Sequence, residues 1–423
     1  MARHSALLLH SALLLLGGAL FLGPPVFFAL AVSIPVAPAS AATQTAGKQV
    51  TAAFPFGEPQ PQAITATAAI LIDTESGRIL YSRNANQRLP MASITKIMTA
   101  VVVLDSLKLD ARVRVSSNAA ATGGSGIELE PGEVLTVEQL MYAMLVSSAN
   151  DAAVALAETA AGNVEAFVKA MNKKAKSLGL TNAHFANPNG LNAEGHFSSA
   201  NDVATLAGIA MKNPVFRRMV RTREHALPWP GHEAPRKLEN QNLLLGMHGW
   251  VTGVKTGSTP YAGYCLVAAG TRDGVSLMSV LLGAANDDLR WSETEALLDY
   301  GFSLYPRTVL VDKGEFITQI DVPDVLHRRI SLVADRPVIA SLFKSDVASS
   351  TVTVGRDMVL PVPAGDAFGT ITFSLGGRSL GSARLIAAQA VDEPSISMIL
   401  GYLRELWPPH LGLGNCLRTQ PPG

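Results

Sequence analysis

Apolar positions change their period several times along this chain, and each change predicts an element. A long apolar stretch covers residues 6–32, and residues 42–63 then turn to Thr, Ala, Gln, Pro and Gly without a period, the texture of a flexible spacer. Short apolar runs at 68–73 and 78–81 flank the turn Thr74-Glu75-Ser76-Gly77, which predicts a β-hairpin. Residues 91–104 form an apolar run free of Gly and Pro, and 135–145, 151–161 and 164–178 carry apolar residues at helical spacing. Strand character returns at 264–269 and 276–282 around the turn Thr271-Arg272-Asp273-Gly274, and 293–302 reads as a closing helix. Strands at both ends with helices between them predict one sheet, assembled from distant parts of the chain and packed against helices: an α/β (α+β) fold.

Past Tyr305-Pro306 the period changes again. Short alternating runs at 309–311, 316–320, 330–333, 351–354, 369–373 and 382–386, broken by Gly, Pro and Asp, predict a small all-β domain, a sandwich. Ile396, Ile399, Leu400, Leu403 and Trp407 then share one face of a helix over 394–407. Such a helix either caps the β domain or lies on a membrane surface.

Composition changes this picture in three respects. At 423 residues the chain exceeds one ordinary domain, and its 48% of hydrophobic residues against 16% charged ones is ample for two cores. Its net charge of zero leaves no electrostatic footprint for nucleic acid, and no basic stripe argues for one. Arg3 and His4 ahead of the apolar stretch, with Ala39-Ser40-Ala41 behind it, read as a cleavable export signal over residues 1–41. An uncleaved N-terminal anchor is the competing reading, and both put the remainder outside the cytoplasm. Cys265 lies in a strand-like run and Cys416 in the tail, two unpaired thiols rather than a bridge. His232-Glu233 has no second histidine at helical distance, so no zinc spacing exists, and no metal or organic cofactor is expected.

The candidate chemistry lies in three clusters. Ser93 and Lys96, three positions apart at the front of the 91–104 run, fall on one face of a first helical turn. A hydroxyl there meets an amine that burial and a neighbouring cation can keep neutral, and a neutral amine can take the hydroxyl's proton. Ser148 and Asn150, in Val146-Ser147-Ser148-Ala149-Asn150-Asp151, stand in a loop between two helices, where Ser148 could relay a proton and the Asn150 amide could bond both a lysine and a substrate carbonyl. Gly253-Val254-Lys255-Thr256-Gly257-Ser258-Thr259 leads into the strand at 264–269, and a cation, a hydroxyl and a glycine near a strand edge suit an extended peptide that ends in a carboxylate. Each cluster alone has a plainer reading: an exposed helix, a helix N-cap and a loop with a solvated lysine.

In the order Ser-x-x-Lys, Ser-x-Asn, Lys-Thr-Gly, behind an export signal, the three together are far more specific. The chain resembles the low-molecular-mass penicillin-binding proteins, the serine D-alanyl-D-alanine carboxypeptidases of bacterial cell-wall metabolism, over roughly residues 64–390. The likeness takes in Pro90-Met91-Ala92, Asn187-Pro188-Asn189-Gly190-Leu191, Ser198-Ser199-Ala200-Asn201-Asp202 and Ala262-Gly263-Tyr264. It implies Ser93 as the acylated nucleophile, Lys96 as its base, and Ser148 with Asn150 as relay and positioning pair. Lys255 and Thr256, with Arg290, would hold the terminal carboxylate of a peptidoglycan stem peptide. Gly257 would let that peptide approach, and the backbone N–H groups of Ser93 and Ser258 would form an oxyanion hole. β-Lactams would bind covalently. Two positions depart from relatives: Ser258, where some carry histidine, and Asn240-Gln241-Asn242, where others carry an arginine.

The expected organisation is a signal at 1–41, a spacer at 42–63, a catalytic domain at 64–305, an all-β domain at 306–390 and an amphipathic helix and tail at 391–423. The resemblance favours a membrane-surface role for that helix. Two rival functions remain, a β-lactamase and a catalytically idle penicillin-binding protein of the wall. A class A β-lactamase carries a water-orienting glutamate in a Glu-x-x-Leu-Asn segment between the second and third clusters. None of Glu158, Glu165, Glu194, Glu224, Glu233 and Glu239 is followed by Leu and Asn at that spacing.

Overall fold

A computed structural model of the chain describes residues 42–44, 48–52, 59–355 and 357–406. The export signal, Trp407 and Cys416 lie outside the described residues. Two short strands come first, β1 (Ala42–Gln44) and β2 (Gln49–Thr51), both paired with Val347–Val354 near the other end of the chain. They stand in the stretch expected to be a spacer. An edge strand presents unpaired N–H and C=O groups that even an aperiodic segment can satisfy, and Lys48 fastens this one through its N–H to Ser350 Oγ and its ammonium to Glu315.

The hairpin β3 (Ala68–Asp73) and β4 (Ile79–Arg83) follows, then a 3-10 turn, Ala92–Thr95, that runs into α1 (Lys96–Ser106). A ribbon of β5 (Arg112–Arg114) with β6 (Val134–Thr136) brackets the single turn α2 (Ser117–Ala120). α3 (Val137–Val146) opens on a capping box made by Thr136 and Gln139, and α4 (Asn150–Ala161) and α5 (Val164–Ser177) complete the predicted helices. α6 (Ala200–Ala210), α7 (Pro214–Arg221), the ribbon β7 (Glu224–Leu227) with β8 (Arg236–Glu239), and α8 (Leu244–Met247) have no counterpart among the predicted elements. The buried face of α6 is mostly alanine, with only Val203 and Leu206 as larger apolar residues, so its period is faint.

β9 (Val251–Thr259), β10 (Gly263–Arg272) and β11 (Val275–Ala284) then close an antiparallel sheet in the order β4-β3-β11-β10-β9. The two ends of the domain thus share one sheet, as the pattern predicted. Period-2 alternation divides each central strand between two cores. Ala68, Ile70, Cys265, Val267, Met278 and Val280 face the helices of the middle segment, whereas Ala69, Leu71, Leu266, Ala268, Leu277 and Leu281 face α9 (Asp287–Ser303). α9 starts six residues before its apolar pattern because Asn286 caps it, accepting the Leu289 N–H at 2.8 Å. α1 is buried from Lys96 through Val103, the environment of a helix that is apolar all round.

The second domain holds β12 (Arg307–Val311), β13 (Phe316–Asp321), β14 (Arg329–Ala334), β15 (Val338–Ser341), β16 (Val347–Val354), β17 (Ala367–Leu375) and β18 (Arg378–Ala387). One seven-stranded sheet, which includes β1 and β2, packs with the β12–β15 pair around Leu310, Leu332, Phe368, Phe373 and Leu385. The last helix, α10 (Ile396–Leu406), buries none of its residues, and Leu400 is 61% exposed. It meets the β domain through the ring edge of Tyr402 on His327, so its apolar face does not cap that domain. Among the described residues no helix is long and apolar enough to cross a membrane.

Candidate active site

Ala92 holds a left-handed backbone, φ +48°, and starts the 3-10 turn that carries Ser93. In a 3-10 turn residues i and i+3 eclipse, which brings Lys96 Nζ to 2.8 Å from Ser93 Oγ. The expectation of a regular α-helical first turn is corrected here: α1 begins at Lys96 itself. Lys96 is fully buried. Its nitrogen also lies 2.6 Å from Asn150 Oδ1 and 2.7 Å from the Asn189 carbonyl. The Asn150 amide is oriented by its own Nδ2–H, which donates to the Gly123 carbonyl at 2.9 Å, so the oxygen faces the lysine.

Two of the three neighbours of Lys96 can only accept. A neutral amine has two hydrogens and one lone pair; with both hydrogens given to Asn150 and Asn189, the lone pair is left for the Ser93 hydroxyl proton. Burial, then the positive charge of Lys255, holds the Lys96 pKa well below the ordinary lysine value, and the carboxylate of Asp151 only partly opposes them.

Asp151 accepts the N–H groups of Ile127 and Leu129, and the Asn150 N–H donates to the Ser125 carbonyl, so the 123–129 loop is fastened beside the Ser148 cluster. Ser148 is buried in a left-handed conformation, φ +61°, at the junction of α3 and α4. Among the described residues its hydroxyl makes no hydrogen bond to Ser93 or Lys96. Asn150 is the first residue of α4 rather than a loop residue.

Lys255, Thr256, Gly257 and Ser258 lie within β9, the edge strand of the sheet, where the sequence pattern showed only an approach to a strand. Gly253 and Gly257 interrupt the apolar alternation and hide it. Gly257 is required by proximity: a Cβ there would stand 2.9 Å from both the Met91 carbonyl oxygen and the Ser93 nitrogen. Lys255 is 2% exposed and Thr256 also buried, while Ser258 is exposed. Among the described residues the Lys255 ammonium reaches only the Thr256 carbonyl, at 3.2 Å, and the Thr256 hydroxyl, at 3.5 Å.

Burial, then the charge of Arg290, brings the Lys255 pKa down to about 7. Arg290, in the first turn of α9, is buried, paired with Asp287 and stacked over the rings of Trp291 and Tyr264. Among the described residues its Nε has no hydrogen-bond partner. Two buried cations, Lys255 and Arg290, therefore act on one another beside Lys96, with Asp287 as the carboxylate that acts on Arg290, an electrostatic preference for an anionic ligand. Among the described residues no group of side chains could hold a metal ion.

The sequence pattern missed the Asn189 carbonyl, which belongs to a backbone and has no side-chain signature; Asn187-Pro188-Asn189-Gly190 entered only as part of the family resemblance. Gly190 presses that turn against the nucleophile, for a Cβ on it would lie 2.0 Å from the Ala92 carbonyl oxygen.

A sequence model of the family described as D-alanyl-D-alanine carboxypeptidase matches residues 55–286. The D-alanyl-D-alanine carboxypeptidase DacF of Bacillus subtilis is 35% identical over 334 residues, 77% of this chain and 85% of that one. DacC of Escherichia coli, of the same description, is 36% identical over 346 residues, 78% of this chain and 85% of its own. Among solved structures, the Streptomyces K15 DD-transpeptidase aligns with a TM-score of 0.55 at 35% identity, covering 58% of this chain and 100% of that one. The carboxypeptidase DacD from Francisella tularensis aligns at 0.57 with 25% identity, covering 81% and 97%.

Proposed function

The chain belongs to the D-alanyl-D-alanine carboxypeptidase family of serine peptidases, and from that premise we propose that it removes the terminal D-alanine of peptidoglycan stem pentapeptides through an ester on Ser93. Lys96 takes the Ser93 proton as Oγ attacks the carbonyl between the two D-alanines. The oxyanion is met by the backbone N–H groups of Ser93 and Ser258, and Lys255, Thr256 and Arg290 hold the terminal carboxylate. The proton returns to the leaving amine by way of Lys96 and Ser148, D-alanine departs, and water then cleaves the ester, its proton taken by the same lysine. The observation that carries this reading is the 2.8 Å contact of Lys96 Nζ with Ser93 Oγ while its other two neighbours are acceptors.

Incubation of the purified protein with a stem pentapeptide should release D-alanine over many turnovers. Ser93→Ala should release none while it stays folded, because one half-buried hydroxyl is lost without a cavity. A fluorescent penicillin should label the parent at Ser93 and persist for minutes or longer. Rapid hydrolysis of that ester with no D-alanine released from the pentapeptide would reassign the chain to the β-lactamases, and labelling without either turnover would make it an idle binder.

We also propose that the protein is exported and that α10 rests on the outer face of the cytoplasmic membrane. Ile396, Leu400 and Leu403 share one side of α10 and are each more than 50% exposed, an apolar face left uncovered among the described residues. Deletion of residues 394–423 should shift the signal-cleaved protein from the membrane to the soluble fraction; equal partitioning of the two chains would refute this.

A further inference from the structure

His196 takes no part in the reaction as set out above, yet it is 8% exposed and joins the two segments that flank Lys96. Its Nδ1 accepts the Ala186 N–H at 2.9 Å. A backbone N–H can only donate, so the ring proton sits on Nε2, and Nε2 donates to Thr95 Oγ1 at 2.7 Å. Thr95 in turn donates to the Ala92 carbonyl at 2.8 Å. Every donor in this chain of bonds has one acceptor, and its direction is unique.

The two ends of the chain are the two backbones on which the chemistry depends. Ala92 is the left-handed residue just before the nucleophile, a conformation that persists only where its surroundings hold it. Ala186 opens the 186–191 segment, which carries the Asn189 carbonyl that takes one Lys96 hydrogen and Gly190, whose backbone touches Ala92. Burial, then the charge of His184, lowers the ring's pKa to about 4. The imidazole therefore stays neutral, keeps one tautomer and moves no proton in the reaction.

We propose that His196 is a positioning residue for acylation: through Thr95 it clamps the Ala92 carbonyl, and through Ala186 it sets the segment that bears Asn189, so that Ser93 Oγ and Lys96 Nζ stay at reacting distance. This rests on the Ser93–Lys96 reading of the site.

The test compares the parent with His196→Ala, His196→Gln and Thr95→Val, using fluorescent penicillin and checking each variant's fold by circular dichroism and thermal melting. His196→Ala and Thr95→Val should each lower the maximal acylation rate on the order of 10- to 100-fold, the scale of a misplaced reacting pair. The penicillin concentration for half-maximal rate should hardly move. His196→Gln, which can still accept with one amide atom and donate with the other, should stay within about threefold of the parent. Parent-like rates in folded His196→Ala, or in Thr95→Val, overturn the proposal, as do equal losses in the Gln and Ala variants, which would make the ring a packing group. If His196→Ala does not fold, Thr95→Val and His196→Gln decide by the same criteria. A parent that is not labelled at Ser93 at all overturns the reading of the site and this proposal with it, whereas labelling of the parent with indifferent variants overturns only the proposal.

Discussion

Lys96 and Lys255 are buried alike, at 0% and 2% exposed, and burial is the first cause of a lowered pKa in both. Their surroundings differ. The Lys96 nitrogen has three close neighbours, all of them oxygens of this chain. Among the described residues the Lys255 nitrogen has only two long contacts, both to the residue beside it and at the outer limit of hydrogen bonding, which leaves most of its donor capacity unspent there. Each feels a neighbouring cation, Lys96 that of Lys255 and Lys255 that of Arg290, but at Lys96 the carboxylate of Asp151 partly offsets it. The lesson is that burial alone does not say what a lysine is for. One whose donors are satisfied internally is free to offer a lone pair, and one left with spare donors among cations is arranged for an anion that arrives from outside.

The strongest way to break this contrast is to remove each amine in turn. Lys96→Ala takes away the proton acceptor of Ser93 and leaves Asn150 Oδ1 and the Asn189 carbonyl without their donor. Acylation by fluorescent penicillin should fall by roughly 10² to 10⁴, the usual worth of a positioned general base. A Lys96→Ala protein acylated at near-parental rate would show that the serine is activated elsewhere.

Lys255→Ala should cost less and cost it differently. Losing a charge-assisted contact to a carboxylate is worth about 1.5 to 3 kcal/mol, or about tenfold or more in kcat/KM. The effect should lie mainly in KM for peptides and in the half-saturating concentration for penicillin, since in the proposed reaction this amine would meet the ligand's terminal carboxylate and not the reacting carbonyl. If both constants are unchanged, Lys255 is internally satisfied like Lys96 and the contrast disappears.

Much of this arrangement was legible in the residues, and what was not has physical reasons. The central strands could be read because alternate residues enter two different cores, and Ser93 with Lys96 because spacing three is short enough to survive any local helix type. The strand under Lys255 was obscured by two glycines, of which Gly257 lets β9 lie against the backbone of Ser93 and Gly253 makes room for Val220. The start of α9 lay in a polar cap, Asn286-Asp287-Asp288, that an apolar period cannot report. Arg290 was singled out by resemblance alone, for nothing local says that a helix start six residues earlier than the apolar pattern will aim it at Lys255. The strands β1 and β2 are specified mostly by the edge they cover and hardly by their own residues.

The subtlest difference between the two lysines is in their response to pH. Lys96 must be neutral to act as a base, so activity should rise with pH through its lowered pKa. Lys255 must be charged to hold a carboxylate, and in the free enzyme its pKa is about 7; as pH rises past that value the cation is lost, to about a tenth of the molecules one unit higher. kcat/KM, which reports the free enzyme, should therefore fall above pH 7, by up to tenfold per unit. A bound carboxylate favours the charged form of Lys255, so kcat should keep its plateau to higher pH. A ligand without the anion separates the two amines: acylation by a penicillin methyl ester should be slow but should lack the alkaline fall, while keeping the acid limb set by Lys96. An alkaline fall that persists with the ester would come from a group other than Lys255, and would leave Lys255 without the anion-holding role that distinguishes it.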